Sequence, residues 1–221
     1  TIFPIDQEDL YVYEKKRKGY RYQSDTEPFH IITESVLVKD SEPVTIEMKF
    51  TRHGPVIYET KRHAFALRAA WLEPGMAPYF GSIEYMGATN FRSFVAALNR
   101  WGAPSENQVY ADIDGNIGYK PAGRFPKRNN WDGLLPVPGD GSYEWDGYFD
   151  MDTLPIEYNP ARGYVGTANS MTLPSDYPIE DFKIGFEWSA PWRYQRIMEV
   201  LSSDTTHSLE DSAVLQRDYT S

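Results

Sequence analysis

The sequence predicts an α+β fold, and three observations carry it. Short strand-like runs punctuated by turn residues dominate the first half of the chain. Helical periodicity is confined to one segment near its middle and two at its end. The order is strands followed by helices, not the strand–helix alternation of a parallel βαβ protein.

Leu10-Tyr11-Val12-Tyr13 opens the strand-like runs. Phe29-His30-Ile31-Ile32 through Val38 reads as extended chain, Asp40-Ser41-Glu42-Pro43 as a turn, and Val44 to Thr51 alternates apolar and polar, so the two runs form a hairpin. Gly54-Pro55 breaks the chain before Val56-Ile57-Tyr58, and Ala64 to Trp71 is a further strand. Phe91, Phe94, Val95 and Leu98 fall on one helical face, with Thr89 or Asn90 as the cap and Gly102 and Pro104 as the stop. Asp114-Gly115 predicts a tight hairpin between Gln108–Ile113 and Asn116–Tyr119. Residues 121–142, dense in Pro, Gly and Asn, read as an ordered loop. Pro191 begins a helix that buries Tyr194, Ile197, Met198 and Leu201. Ser208 and Asp211 form a capping box for a second.

Composition removes several classes of function. The formal net charge of −10 argues against nucleic acid, which requires clustered cations. The basic run Lys15–Lys18 reads as a solvated turn. Absence of cysteine excludes disulfides, thiolate metal sites and a Cys nucleophile. The four histidines, His30, His53, His63 and His207, lack metal-ligand spacing, and no apolar run approaches the roughly 18 residues of a membrane span. No phosphate loop, Gly-x-Ser-x-Gly elbow or His-Glu-x-x-His is present. Asp112 and Asp114 are candidates for a general acid/base pair, but a hairpin tip favours Asp in any case.

A series of phrases in fixed order is more specific. Thr51-Arg52-His53-Gly54-Pro55-Val56-Ile57 is followed by Tyr110-Ala111-Asp112-Ile113-Asp114-Gly115-Asn116-Ile117-Gly118-Tyr119. Then come Leu135-Pro136-Val137-Pro138-Gly139, Glu144-Trp145-Asp146-Gly147, Tyr158-Asn159-Pro160, Gly163-Tyr164-Val165, Ala168-Asn169 and Asp176-Tyr177-Pro178, with Trp188 and Arg193 closing the series. Together they resemble the penicillin acylase (penicillin amidase) family of N-terminal-nucleophile hydrolases.

The resemblance implies a four-layer αββα sandwich, mostly antiparallel sheet with peripheral helices. Residues 1–221 would form a single domain, an internal segment of the large (beta) subunit truncated at both ends. Such enzymes cut their own precursor, expose a Ser whose α-amino group serves as base, and hydrolyse N-acyl amides through an acyl-enzyme. The small (alpha) subunit of the same precursor is the implied partner, an N-acyl amide the implied substrate, and a periplasmic or secreted location is implied. Thr1 is a tempting nucleophile, but the resemblance places the family's Ser upstream of it, so the fragment alone is expected to be inactive.

The implied site residues follow from the matched phrases. Asn169 is the side-chain donor of the oxyanion hole, and the backbone N–H of Ile2 is the second donor. Arg193 matches a family Arg that helps orient the Asn and the α-amino group. A structural Ca²⁺ would be held by Asp6, the Glu8 carbonyl, Asp9, the Gly133 carbonyl and Asp181, with a further ligand from the small subunit. Trp71 matches an acyl-pocket aromatic. Glu106 stands where benzyl-binding members carry an apolar residue, and there it either disfavours a phenyl ring or turns away from the pocket.

Two other classes compete with this reading. A non-catalytic β-rich carbohydrate-binding module would account for the 16 Tyr and 6 Trp, which a large sheet also uses as core. A glycosidase would use paired carboxylates. Neither accounts for the ordered phrases.

Overall fold

The computed structural model describes residues 1–76, 78–203 and 206–219. Its strands in chain order are β1 (Glu8–Lys16), β2 (Gly19–Tyr22), β3 (Asp25–Glu27), β4 (His30–Val36), β5 (Val44–Thr51), β6 (Gly54–Glu59), β7 (His63–Ala69), β8 (Glu106–Ala111), β9 (Ile117–Ala122), β10 (Pro126–Arg128), β11 (Val137–Pro138), β12 (Trp145–Tyr148) and β13 (Glu157–Tyr158). Its α-helices are α1 (Pro78–Tyr85), α2 (Phe91–Leu98), α3 (Ile179–Phe182), α4 (Trp192–Ser203) and α5 (Leu209–Leu215). The fold is α+β, as the sequence predicts.

The chain resolves into two compact units, each assembled from separated segments. The first comprises Thr1–Asp6, Gly75–Phe125 and Phe149–Ser221; the second comprises Gln7–Pro74 and Pro126–Tyr148.

The second unit is a sheet in the order β3-β2-β1-β7-β6-β5-β4, with β11 pairing β1 in parallel, beside a small β10/β12 ladder. The predicted hairpin is β4/β5, in register from His30↔Phe50 to Val36↔Val44. The alternation in sequence is not matched by burial: β5 is exposed from Val44 to Glu47, and Val36 on β4 stays exposed as well. The Thr51–Gly54 phrase has a steric cause. Gly54 takes φ 144°, and a Cβ there would lie 2.1 Å from the Leu67 carbonyl oxygen on β7. Only Gly allows that approach. The Ala64–Trp71 strand is shorter than predicted, since the chain tightens into a 3₁₀ turn at Ala70–Leu72.

The first unit packs β13-β9-β8 and helices α1 to α3 around Phe3, Ile5, Phe91, Phe94, Leu98, Trp101, Phe125, Leu154 and Ile184. Helix α2 follows the predicted face, burying Phe91, Phe94 and Leu98. Asn90 caps it in a box with Ser93, and it closes at Asn99, ahead of the Gly102 stop. The Asp114-Gly115 turn is wider than a two-residue hairpin. β8 and β9 part at Ala111↔Ile117, and the Asp112 carboxylate gathers the loop by accepting from the Asp114 and Asn116 N–H groups at 3.0 and 2.9 Å. This supports the turn reading of Asp112 over a catalytic one. α5 starts at the predicted Ser208–Asp211 box. α4 differs from expectation: Tyr194, Ile197, Met198 and Leu201 are only half-buried, since the helix packs along one narrow line against Gly166. The Pro- and Gly-rich stretch is ordered, as expected, and contains β10 and β11.

Candidate active site

In the first unit three of the predicted residues come together. Ile2 forms an antiparallel bridge with Glu106 at the start of β8. The bridge hydrogen bonds run from the Phe3 N–H to the Ser105 carbonyl (3.3 Å) and from the Asn107 N–H to the Thr1 carbonyl (2.6 Å). Ile2 therefore occupies a non-hydrogen-bonded position, and its own N–H and C=O point away from β8. Asn169, at φ 61°, faces it: Asn169 Nδ2 donates to the Ile2 carbonyl oxygen at 2.7 Å. An Asn tolerates this left-handed backbone better than most residues. Only one of the two Nδ2 protons serves Ile2, so the second remains a donor.

Arg193 lies in the first turn of α4, where a cation opposes the helix dipole and requires compensation. One guanidinium nitrogen donates both to the Ala168 carbonyl (2.8 Å) and to Asn169 Oδ1 (2.9 Å). Arginine carries no acceptor, so this contact settles the orientation of the amide: oxygen toward Arg193, nitrogen toward Ile2.

Asn107 was not found by sequence reasoning. It is buried on β8, and its Nδ2 donates to the Ile2 carbonyl at 3.0 Å and to Thr1 Oγ1 at 3.1 Å. It lies one residue before the predicted strand Gln108–Ile113, next to Glu106, and nothing in its spacing distinguishes it. Glu106 is half-buried and shares a sheet face with Ile2. Trp71 lies exposed on the 3₁₀ turn of the second unit.

The calcium set does not fit as carried over. Asp9 is buried, and both its oxygens are taken by N–H donors: Arg128 Nε at 2.8 Å, Trp131 Nε1 at 3.0 Å and Trp145 Nε1 at 2.5 Å. Arg128 also donates to the Glu8 carbonyl at 3.1 Å. A guanidinium already neutralises the carboxylate, so a cation there would meet a positive charge. Gly133 shares this unit, at φ 94°. Asp6 and Asp181 belong to the first unit, where the Asp6 N–H donates to the Ile184 carbonyl and Asp181 stands exposed in the first turn of α3, a favourable place for an acid at a helix start. Among the described residues no three His, Asp or Glu side chains are grouped to hold a metal.

The second unit hides a buried polar line that the sequence reading did not anticipate. Tyr13 Oη meets His53 Nδ1, and His53 Nε2 meets Glu144 Oε2 at 2.9 Å, with the Tyr11 ring stacked at 3.8 Å. A carboxylate only accepts, so Nε2 carries the proton and Nδ1 accepts from Tyr13: the neutral tautomer. Burial pushes the His53 pKa down, outweighing Glu144, and Arg68 and Arg52 push it the same way as burial. The folded-state pKa thus lies below the unfolded value, so the native state binds fewer protons, and stability from this group is present above about pH 6.5 and lost as pH falls below it. Chemical-denaturation midpoints should drop between pH 7 and pH 5.5, and His53→Gln should flatten that slope. An unchanged slope in the variant would remove His53 as its source.

With the geometry described, comparison with known proteins fixes the family. Residues 1–221 match the family model described as penicillin amidase. The chain belongs to the penicillin amidase family. It is 31% identical over 228 residues to the acyl-homoserine lactone acylase QuiP of Pseudomonas fluorescens (strain Pf0-1), an alignment covering 97% of this chain and 27% of that protein. It is 32% identical over 171 residues to the penicillin G acylase of Escherichia coli, covering 76% of this chain and 20% of that one. The structure of a thermostable penicillin G acylase from Alcaligenes faecalis superimposes with a TM-score of 0.84 at 23% identity, covering 98% of this chain and 40% of that chain. This last likeness shows the fold. The chain spans about a quarter of the length of the curated relatives it matches. No helix among the described residues is long and apolar enough to cross a membrane.

Proposed function

We propose that this chain forms part of an N-acyl amide hydrolase of the penicillin acylase type, and that it contributes the oxyanion hole. The observation that carries the reading is the Arg193–Asn169–Ile2 arrangement. Acyl transfer to a nucleophile builds negative charge on the former carbonyl oxygen, and fixed donors lower that barrier most when they need no rearrangement. Asn169 Nδ2 and the Ile2 N–H are such donors, and Arg193 prevents the amide from flipping. The nucleophile is a Ser of the same precursor, upstream of Thr1 and released by self-cleavage, with its α-amino group as base. The small subunit is the partner, and an extracytoplasmic location goes with this family.

The substrate is an N-acyl amide such as an acyl-homoserine lactone or a penicillin side chain. Six of the curated relatives are named acyl-homoserine lactone acylases, which supports the first. Glu106, on the same sheet face as Ile2, disfavours a phenylacetyl group, since a phenyl ring would strip water from its carboxylate. Trp71 remains a proposed acyl contact. Calcium is not part of the proposal, because Asp9 does not fit a ligand.

The test is turnover by the full-length protein of acyl-homoserine lactones, phenylacetyl amides and acyl nitroanilides, followed by release of the free amine. Hydrolysis of at least one, with the 221-residue chain inert toward all, is the expected result. A full-length protein that processes itself yet cleaves none of them would defeat the reading. Activity in the 221-residue chain that is lost in Thr1→Ala would move the nucleophile to Thr1.

A further inference from the structure

We infer that Asn107 is the positioning residue of the oxyanion hole, holding the backbone of Ile2 through both of its flanking peptide planes; the inference rests on the oxyanion reading above. A backbone donor can stabilise developing charge only if its direction is fixed beforehand. The Ile2 N–H lies in the same rigid plane as the Thr1 carbonyl and points opposite to it. That carbonyl accepts from the Asn107 N–H at 2.6 Å. The next plane carries the Ile2 carbonyl, which accepts from Asn107 Nδ2 at 3.0 Å. One residue therefore grips the chain on both sides of the Ile2 Cα, fixing its two dihedral angles and the aim of its N–H.

The Asn107 side chain is itself held. Tyr119 on β9 lies diagonally across the β8/β9 ladder, one pair beyond the direct Asn107↔Pro121 partner on the same face. Its hydroxyl donates to Asn107 Oδ1 at 2.7 Å. Burial pushes the Tyr119 pKa far up, so that proton stays in place. With its one proton given to Asn107, the Tyr119 oxygen accepts from Thr172 Oγ1 at 2.7 Å. The chain Thr172 to Tyr119 to Asn107 to the Ile2 carbonyl thus has a single direction, and it leaves no alternative orientation for the Asn107 amide. Asn107 and Tyr119 are both nearly inaccessible, at 6% and 3% exposure, so neither touches substrate; their effect passes through Ile2.

The experiment is steady-state kinetics of the full-length protein on the acyl nitroanilide it turns over fastest. Asn107→Asp keeps the shape but puts an acceptor against the Ile2 carbonyl. It should lower kcat about 10- to 100-fold, with KM changed less than about threefold. Tyr119→Phe keeps the ring in the core and deletes only the hydroxyl. It should lower kcat about 3- to 10-fold, and it decides the matter if Asn107→Asp fails to fold. A folded Asn107→Asp protein with kcat near the unaltered value, or one in which only KM rises, overturns the inference, as does Tyr119→Phe with full kcat. Asn169→Ala is measured alongside. If it is inactive while Asn107→Asp is fully active, only the role of Asn107 falls; if Asn169→Ala is itself fully active, the oxyanion reading falls and this inference with it.

Discussion

Asn169→Ala in the full-length protein is expected to lower kcat/KM about 100- to 1,000-fold while leaving KM nearly unchanged. The ground-state amide needs little from this donor; the tetrahedral intermediate needs a great deal. Of the two Nδ2 protons, one is committed to the Ile2 carbonyl at 2.7 Å, and in the proposed reading the other goes to the reacting oxygen. The substitution removes both, and it also leaves the Arg193 guanidinium without the Oδ1 acceptor it holds at 2.9 Å. Folding should survive, because the surrounding loop keeps its backbone contacts, including the bond from the Ser189 N–H to the Asn169 carbonyl. Nearly full activity in a folded Asn169→Ala protein would show that the residue only shapes a turn.

Arg128→Ala should be strongly destabilising. Arg128 and Asp9 form a salt bridge at 2.8 Å with side chains 2% and 1% exposed. Removing the cation leaves the buried carboxylate with two indole N–H groups as its hydrogen-bond donors, which costs about 3–5 kcal/mol. For a chain of this size that lowers Tm by roughly 10 °C. The control is Arg162→Ala, which breaks a surface pair with Glu157 whose side chains are each 37% exposed. Such pairs contribute about 0–1 kcal/mol, so Tm should barely move. Equal shifts in the two variants would mean that Asp9 is not the buried charge described. The test also bears on calcium: a ligand carboxylate freed from a guanidinium would bind the ion more tightly, not unfold.

The parts of this molecule legible in the sequence were those written locally. Phe91, Phe94 and Leu98 announced α2 through their spacing, and Ser208 with Asp211 announced the start of α5. The phrases around Asn169 and Arg193 were legible through family resemblance alone; no period or spacing marks them. What stayed hidden depends on contacts across long stretches of chain. Asp9 entered as a calcium ligand through the resemblance, and only the fold brings Arg128, Trp131 and Trp145 to it. His53 reads as one member of a phrase, and its partners Tyr13 and Glu144 lie 40 and 91 positions away. Asn107 falls just outside the predicted strand, and its role shows only when the Thr1–Phe3 segment is laid beside it. α4 was misjudged because periodicity shows which face is apolar, not how much of that face a neighbour covers.

The partition of the chain has a consequence for its biosynthesis. The unit that holds Ile2 and Asn169 draws on Thr1–Asp6, Gly75–Phe125 and Phe149–Ser221, and the other unit occupies the intervals. Ile2 and Asn169 are separated by 167 positions, so a ribosome must add that whole stretch after Ile2 before they can meet. At about 5–20 residues per second that is a delay on the order of ten seconds or more. During it, Phe3 and Ile5 have been synthesised while Ile184, part of the same core, has not. Those two apolar residues are exposed to wrong partners for that whole interval, and a chaperone that shields the nascent Thr1–Asp6 segment should raise the yield of folded protein more than one acting after release.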